Sequence, residues 1–289
     1  MKILVIGSGF IGSSIINRLE SEGHEILVFS RTSKSGISSQ QIIGDIFAPE
    51  KLNQILSWQP QVIIHTAWIT THDVYSDDSS NIRYAKFTAD LAELVSRGNL
   101  EHLIILGSCA EYGLQSAPST AGVTELRPNN LYAEQKVFAL HKAKKSLFET
   151  NVRLTWARIF QPYGRNQDKN RLLPYIVDSI KQGKEVKLID VVSIHDWITT
   201  RDIASAISWI LKNDLPIEID VGTGLGYTNL ELLRQVEGLL GHSKQWERFI
   251  SQANVDSRVA QVGENSPLFV SGWIPNDNLH SGLKWVVEE

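Results

Sequence analysis

Apolar residues in the first two-thirds of the chain form short continuous runs, and these runs alternate with segments of helical periodicity. A continuous apolar run is typical of a strand buried on both faces of a parallel sheet. Strand–helix alternation with right-handed crossovers gives a doubly wound parallel sheet, so we predict an α/β protein with a Rossmann-type fold. The predicted strands are Ile3–Ile6, Glu25–Phe29, Val62–His65, His102–Leu106 and Arg153–Ile159, and the predicted helices are Ile11–Ser21, Glu50–Trp58, Ile82–Arg97 and Leu131–Phe148.

The pattern changes after Pro162, where a polar, turn-like segment from 164 to 169 interrupts the alternation. Thr228 and Glu231 form a capping-box pattern that opens a helix ending near Leu240. We therefore predict a dinucleotide-binding domain of residues 1–163 with 196–222, and a smaller C-terminal substrate lobe of residues 164–195 with 223–289. The other predicted elements of this part are the helices Leu172–Gln182 and Asp202–Leu211, a short strand near Val186–Ile189, and a strand Glu218–Val221 that returns to the main sheet.

Length, charge and cysteine content narrow the classes of protein. The 289 residues suit one large domain with a smaller lobe. A formal net charge of −4 does not indicate binding to nucleic acid or to an anionic membrane. Cys109 is the only cysteine, and no apolar stretch approaches the length of a membrane span. We expect a cytoplasmic protein with no nucleic-acid partner and no membrane partner.

A glycine-rich segment lies between the first strand and the first helix. It runs from Gly7 to Gly12 and reads G-x-G-x-x-G, a motif that binds dinucleotides in this strand–helix context. Gly7 permits a tight turn, Gly9 lets a pyrophosphate approach the backbone, and Gly12 allows the helix to pack closely on the strand. The helix start at Phe10 and Ile11 offers free N–H groups to the phosphates.

The tip of the second strand indicates which dinucleotide is bound. An NAD-binding protein usually carries a carboxylate there for the ribose 2′-hydroxyl. Here the tip carries Ser30, Arg31, Thr32 and Lys34, with no carboxylate. Arginine offers a planar donor fork to a phosphate, so we predict NADP as the cofactor. The alternative interpretation of this segment is a solvated surface loop.

Other candidate cofactor contacts follow neighbouring strands. Asp45 comes after the third short strand and is placed to accept a hydrogen bond from the adenine amino group, with Ile46 beside it. Thr66 and Ala67 follow the strand Val62–His65 and complete these candidates.

Tyr132 and Lys136 are the candidate catalytic pair, because their i,i+4 spacing puts both side chains on one helix face. An ammonium group beside a phenol favours the phenolate. We therefore expect Lys136 to lower the pKa of Tyr132 toward the pH at which general acid–base transfer is efficient. Ser108 follows the strand His102–Leu106 at the carboxyl edge of the sheet, where ligands bind, and is placed to donate to a substrate oxygen.

Two other classes of enzyme are disfavoured by local sequence. The segment Gly107-Ser108-Cys109 lacks the G-x-S-x-G spacing of a hydrolase elbow. The eight histidines are scattered without the spacing of metal ligands, so we expect no metal site.

In their order along the chain, the motifs resemble the extended short-chain dehydrogenases/reductases, the group of nucleotide-sugar epimerases, dehydratases and reductases. The resemblance runs over essentially the whole chain and implies an NAD(P)-dependent oxidoreductase. The matching segments are Gly7–Gly12, His65–Ala67, Ser108 with Tyr112 and Gly113, Tyr132 with Lys136, Arg158–Gly164, Asp196–Ile198, Asp202–Ala204, Val221–Gly224 and Gly272–Pro275.

The resemblance also implies roles for individual residues. Ser108, Tyr132 and Lys136 would form the catalytic triad, with Lys136 also holding the nicotinamide ribose. Gln161 and Pro162 would lie beside the nicotinamide and the sugar. The remaining candidate substrate contacts are Asn170 and Arg171 toward the nucleotide diphosphate, His195 where an arginine commonly binds phosphate, and Arg258.

Three departures from the family pattern matter, one of them being His195 in place of the phosphate-binding arginine. The glycine motif is one residue shorter than the usual G-x-x-G-x-x-G. Cys109 and Ala110 stand where 4,6-dehydratases carry an Asp-Glu pair, which counts against dehydration because that reaction needs an acid and a base. Cys109 is interpreted as a small buried neighbour of the site that contacts substrate, rather than as a nucleophile.

The segment 107–115 and Trp68 resemble the subgroup that reduces the 4-keto group of nucleotide-linked 6-deoxyhexoses, and Trp68 is a candidate substrate contact. We predict NADPH-dependent reduction of such a keto sugar. The alternatives are an NAD(P)-dependent nucleotide-sugar epimerase and a non-catalytic NADP-sensing protein. Within the segment, Glu111 is either a substrate ligand or an exposed acid. The family also implies a homodimer, in which the helices Ile82–Arg97 and Leu131–Phe148 pair across a two-fold axis.

Overall fold

The computed structural model describes residues 1–241, 245–252 and 259–288. In this part of the chain, seven parallel strands form the main sheet. These strands are β1 (Lys2–Ile6), β2 (Glu25–Ser30), β3 (Gln40–Ile43), β4 (Val62–His65), β5 (His102–Ser108), β6 (Arg153–Ile159) and β9 (Glu218–Val221), in the spatial order β3-β2-β1-β4-β5-β6-β9. The predicted doubly wound sheet is confirmed, including the return of β9 to its edge.

Helices cover both faces of the main sheet. They are α1 (Phe10–Ser21), α2 (Pro49–Leu56), α3 (Ser80–Val95), α4 (Leu131–Leu147) and α6 (Thr200–Lys212). Successive residues of β1 alternate between the faces: Ile3 and Val5 pack with α1 and α6, whereas Leu4 and Ile6 pack in the cluster that includes α3 and α4. This period of two explains why a strand covered on both sides is apolar throughout.

The smaller lobe is built on a second sheet. Its central strand is β8 (Ile194–Thr199), which pairs with β7 (Gln161–Tyr163), β10 (Gly226–Thr228) and β11 (Ala260–Gln261). The helices α5 (Leu172–Lys181), α7 (Asn229–Leu240) and α9 (Leu279–Val287) belong to this lobe, whereas α8 (Pro267–Val270) packs through Leu268 in the core of the main sheet. The apolar core of the lobe packs α5, α7 and α9 against β8. Thr228 and Glu231 form the predicted capping box at the start of α7.

Buried carboxylates join the lobe to the main sheet. Asp196 in β8 accepts hydrogen bonds from the backbone N–H groups of Thr223 and Gly224, at 2.7 and 2.9 Å, in the turn that follows β9. Asp202 in α6 accepts from the backbone N–H groups of Asn276 and Asp277, at 2.9 and 3.0 Å. Satisfied backbone donors therefore fix the turns between the two parts of the molecule.

The predicted strand near Val186–Ile189 is wrong. The backbone N–H of Val186 donates to Gln245 Oε1 and that of Lys187 donates to the Tyr175 hydroxyl, so side chains take the hydrogen bonds that a ladder would need. Ile189 is fully exposed. The strand at this place in the lobe is β8, which starts eight residues later in the chain than the predicted strand.

No helix in the described ranges has the length and apolar character to cross a bilayer.

Candidate active site

The candidate site lies at the carboxyl edge of the main sheet, where Gly7 follows β1, Thr66 follows β4 and β5 ends at Ser108. The strand order reverses at β1, because β2 lies on one side of it and β4 on the other. Open α/β sheets bind their ligands at such a switch point.

The glycine loop after β1 has the shape of a phosphate site. Gly7 has a φ of 105°, and a Cβ there would lie 2.9 Å from the Ala67 backbone nitrogen. A Cβ at Gly12 would collide with the Gly7 carbonyl oxygen, whereas a Cβ at Gly9 would meet no atom within 4 Å. Gly9 is the N-cap of α1 and provides no side-chain cap, so the first-turn N–H groups face open space. These features fit the pyrophosphate of a dinucleotide.

The tip of β2 presents the exposed cation Arg31. Arg31 is exposed and has no hydrogen bond or ion pair in the part of the chain that the structure describes. The Ser30 side chain is buried, and its hydroxyl donates to the Thr32 carbonyl at 2.9 Å. Asp45 is exposed and accepts from the Phe47 backbone N–H at 3.0 Å, while Ile46 beside it is buried.

The candidate catalytic groups come together at the start of α4. The Asn130 side chain caps this helix by accepting from Ala133 N–H at 2.9 Å, and Tyr132 N–H donates to the Ser76 carbonyl at 2.8 Å. The Ser108 side chain at the end of β5 lies near enough to the Tyr132 phenol to lower its pKa. The structure therefore places Ser108 and Tyr132 near each other, and their catalytic roles stay predictions.

The expected lowering of the Tyr132 pKa is wrong for the free protein. Burial raises the pKa of Tyr132 above its usual value, and the hydrogen bond from Ser108 opposes this shift without reversing it. The reason is geometric: Lys136 Nζ lies 5.8 Å from the centroid of the Tyr132 ring and donates its hydrogen bond to the Leu106 carbonyl oxygen. Desolvation of the phenolate outweighs the attraction of the ammonium group.

Lys136 is itself buried. Its Nζ donates to the Leu106 carbonyl oxygen at 2.7 Å and lies 3.8 Å from the centroid of the Trp68 ring. Burial lowers the pKa of Lys136 to about 7, and the negative charge of Glu111 acts in the opposite direction.

Glu111 is neither an exposed acid nor a free ligand, which corrects both interpretations made from the sequence. Its side chain is fully buried and accepts from Ser108 N–H at 2.8 Å, from Trp156 Nε1 at 3.0 Å and from Arg158 Nε at 2.7 Å. Arg158 continues the ionic network through Glu218, at 2.6 Å. An arginine in the otherwise apolar run of β6 was the signal for a buried carboxylate partner.

Cys109 is buried beside Tyr112 and Phe160, as expected from the sequence. Burial raises the pKa of the Cys109 thiol to about 12, and the nearby carboxylates of Asp196 and Asp220 add to the shift. A thiol held in its neutral form is a poor nucleophile.

The predicted substrate residues occupy different places. Trp68 is buried, and Gln161 and Pro162 are half-buried in β7. Asn170 is exposed, whereas Arg171 at the start of α5 donates to the Thr70 carbonyl at 2.8 Å. His195 lies in β8 with its Nδ1 3.2 Å from Gln261 Oε1, and Arg258 lies outside the described residues. Substrate contacts by these residues stay predictions.

An aromatic cluster beside Tyr132 was not predicted. The Tyr75 ring packs edge-on against Tyr132 with centroids 5.1 Å apart, and the Arg171 guanidinium lies 5.1 Å from the centroid of Tyr75. These contacts bring the start of α5 in the lobe to α4. Tyr75 lies in a polar loop without periodicity, so the sequence carried no signal for its position.

Comparison with known proteins gives consistent matches over this framework. The model of the NAD dependent epimerase/dehydratase family matches residues 3–222. A UDP-glucose 4-epimerase of Lactobacillus helveticus is 21% identical, with 83% of this chain and 82% of the relative covered. GDP-L-fucose synthase 1 of Arabidopsis thaliana is 23% identical, covering 98% and 90%. The crystal structure of Thermus thermophilus UDP-glucose 4-epimerase in complex with NAD has a TM-score of 0.85 at 22% identity, covering 100% of this chain and 98% of that one.

Proposed function

Because the chain belongs to the NAD dependent epimerase/dehydratase family, we propose that it is a reductase that uses NADPH to reduce the keto group of a nucleotide-linked 4-keto-6-deoxy sugar. The observation that carries the proposal is the state of Tyr132. The Tyr132 side chain is part-buried beside Ser108 at the ligand edge of the sheet, and desolvation there raises the pKa of its phenol. A phenol that retains its proton is suited to be the acid in ketone reduction.

The proposed chemistry divides among three side chains. When bound, NADPH would supply the hydride for the carbonyl carbon, and the carbonyl oxygen would take up the electron pair of the C=O π bond. Tyr132 donates its proton to that oxygen. The Ser108 Oγ accepts from Ala110 N–H at 3.2 Å, which leaves its own proton to donate to the substrate oxygen. The Lys136 ammonium stabilises the phenolate that remains after the transfer.

The choice of NADP rests on the tip of β2. Arg31 is exposed without a partner in the described residues, so it is available to a 2′-phosphate. The tip has no carboxylate that would repel the phosphate. Both features support NADP over NAD.

Dehydration is disfavoured by the residues that follow Ser108. Cys109 holds its proton at physiological pH, because its pKa is raised to about 12, and Ala110 has no titratable group. Neither side chain can serve as the acid or the base that elimination of water requires.

Epimerisation is the second candidate, because several of the proteins similar to this chain are UDP-glucose 4-epimerases. That reaction would begin with removal of a proton from a sugar hydroxyl, for which Tyr132 would need to be a phenolate. In the free protein, burial raises the pKa of Tyr132, so the phenol keeps the proton that ketone reduction uses. A protein that only senses NADP would not need the Ser108, Tyr132 and Lys136 set.

The deciding experiment is an NADPH-oxidation screen against several nucleotide-linked 4-keto-6-deoxy sugars, with product analysis by mass spectrometry. We expect one NADPH consumed for each hydroxyl formed, with at least one of these substrates. Interconversion of nucleotide sugars without net NADPH consumption would replace the proposal by epimerisation. Tight NADPH binding with neither reaction would favour the sensing protein.

We also propose that the protein is a homodimer. The helices α3 and α4 pack side by side, with a groove of about 510 Å³ between them on the outer surface. Ile82 and Phe138 line this groove and are 53% and 44% exposed. A second copy of the same helix pair would bury these side chains in a four-helix arrangement across a two-fold axis.

A further inference from the structure

The Lys136 ammonium group is buried without an ion pair. Its side chain is buried, and in residues 1–241, 245–252 and 259–288 no carboxylate oxygen lies within 4.0 Å of its Nζ. One partner is the Leu106 carbonyl at 2.7 Å, and another is the face of the Trp68 ring, whose centroid is 3.8 Å away. An ammonium group has three donors, so the carbonyl alone leaves most of its charge unsatisfied.

The Trp68 ring is held rigidly in this place. It stacks on Tyr84 with centroids 5.7 Å apart, and its indole N–H donates to Asn81 Oδ1 at 2.7 Å. The Asn81 amide in turn donates to the Tyr75 carbonyl at 2.7 Å. The Trp68 and Tyr132 rings also pack in a T-shaped arrangement, with centroids 6.3 Å apart. The indole face is therefore fixed between the two catalytic side chains on α4.

The other groups around Lys136 do not replace this contact. His65 in β4 is neutral, because burial and the Lys136 charge lower its pKa to about 3. The Tyr132 phenol on the same helix is protonated. The negative charge of Glu111, after β5, favours the charged form of Lys136. Both Glu111 carboxylate oxygens, however, accept hydrogen bonds from other donors. An aromatic face offers an electrostatic attraction to a desolvated cation, and tryptophan offers the strongest one.

We propose that Trp68 is a positioning residue, whose indole face holds the Lys136 ammonium group charged and in place beside the Tyr132 phenol. Trp68 acts through Lys136 in this assignment, in addition to any contact with substrate. The inference deepens the proposed role of Lys136. The expected effect of Trp68 on turnover rests on the proposed function, whereas its expected effect on the Lys136 side chain is independent of that function.

The test is an NMR titration of the free protein labelled with ¹³Cε-lysine, with the Lys136 signal assigned by the Lys136→Met variant. Removing the ring face in Trp68→Leu should lower the Lys136 pKa by about one unit, a tenfold change in its proton affinity. Trp68→Phe keeps a ring face but loses the indole N–H to Asn81. We expect its Lys136 pKa to lie between those of the wild type and Trp68→Leu.

The matched control is Phe47→Leu. Phe47 packs against Tyr84 in the same apolar cluster, with ring centroids 5.0 Å apart, but does not face the Lys136 nitrogen. This variant should leave the Lys136 titration where it is in the wild type. An equal shift in Phe47→Leu and Trp68→Leu would overturn the proposal, because it would show a general effect of loosened packing.

Uniform incorporation of fluorinated tryptophan keeps the test valid where Trp68→Leu does not fold. Fluorination weakens the electrostatic attraction of the ring face with little change of shape. It should lower the Lys136 pKa in the wild type and have no effect in the Trp68→Phe background. An unchanged Lys136 titration on fluorination would overturn the proposal.

The titration uses no substrate, so it separates this proposal from the proposed function. A shifted Lys136 pKa in a protein that reduces no keto sugar would leave Trp68 as the positioning residue of Lys136 and remove only the reductase assignment. Where reduction is observed, the pH profile of kcat/KM should shift in Trp68→Leu in the same direction as the Lys136 titration. A reductase whose pH profile is the same in both proteins would overturn the assignment of Trp68.

Discussion

The Tyr132 hydroxyl is the single atom on which the proposed reduction depends most. Tyr132→Phe removes this proton donor and leaves the ring, so its edge contacts with Tyr75 and Trp68 should persist. General acid catalysis contributes about 10²–10⁴-fold, and we expect turnover to fall by that factor. Steady-state assays of ketone reduction measure it, with NADPH binding by fluorescence as the internal control. Turnover at the wild-type rate would exclude Tyr132 as the acid.

Arg31 decides the choice of cofactor in the proposed site. Arg31→Ala removes the charged donor fork from the tip of β2, and we expect NADPH binding to weaken by about 1.5–3 kcal/mol while NADH binding is unchanged. Titration calorimetry with both dinucleotides checks this. The matched control is Arg97→Ala, which removes an exposed arginine beyond the end of α3. An equal loss for NADPH and NADH would contradict the assignment.

At the scale of elements, the turn that follows β5 depends on a buried ion pair. Glu111 ties the Ser108 backbone to Arg158 in β6, and both charged side chains are fully buried. Glu111→Ala would leave a buried guanidinium without this partner, and we expect the free energy of unfolding to fall by about 3–5 kcal/mol.

Urea denaturation of purified Glu111→Ala measures this loss. The control is Glu125→Ala, which breaks the exposed pair with Arg127 and should cost no more than about 1 kcal/mol. Similar losses in the two variants would show that the buried network contributes no more than a surface pair.

The stability of the whole molecule should depend on pH through a buried histidine. Burial and the charge of Arg153 lower the pKa of His102 to about 3, whereas a histidine in an unfolded chain has a pKa of about 6.5. The unfolded state therefore binds the extra proton below pH of about 6.5. The contribution of neutral His102 to stability is complete above that pH and is lost progressively toward pH of about 3.

The variant His102→Gln isolates this effect from other titrating groups. The wild-type advantage over His102→Gln in free energy of unfolding should shrink by about 1.4 kcal/mol for each pH unit below about 6.5. Urea denaturation between pH 7 and 5 measures it, with the exposed His280→Gln variant as the control. A difference between wild type and His102→Gln that is constant over this range would contradict the prediction.

The proposed homodimer is also a property of the whole molecule. Light scattering at micromolar concentration should give about twice the mass of 32.4 kDa. Phe138→Glu places a charge in the groove between α3 and α4 and should shift the mass toward the monomer. Phe148→Glu, at an exposed residue beyond the end of α4, is the control and should leave the mass unchanged. A monomer mass for the wild type would refute the proposal.

The sequence alone determined the main sheet, the glycine loop and the helix α4 that carries Tyr132 and Lys136. Each of these depends on local pattern: β1 is apolar because both of its faces are covered, and Gly12 lies where a Cβ would collide with the Gly7 carbonyl. Tyr132 and Lys136 share a helix face because four residues make about one turn. The family resemblance rested on the same local signals, and the match over residues 3–222 confirms it.

Only the tertiary structure decided the state of the site. The spacing of Tyr132 and Lys136 predicted a lowered phenol pKa, but burial raises it and the lysine turns to the Trp68 face. Glu111 is buried because Arg158, 47 residues away, needs a partner. The lobe forms its central strand at β8 because only there do β7, β10 and β11 supply hydrogen-bonding neighbours. Burial and long-range partners are properties of the folded chain, so a local sequence pattern does not contain them.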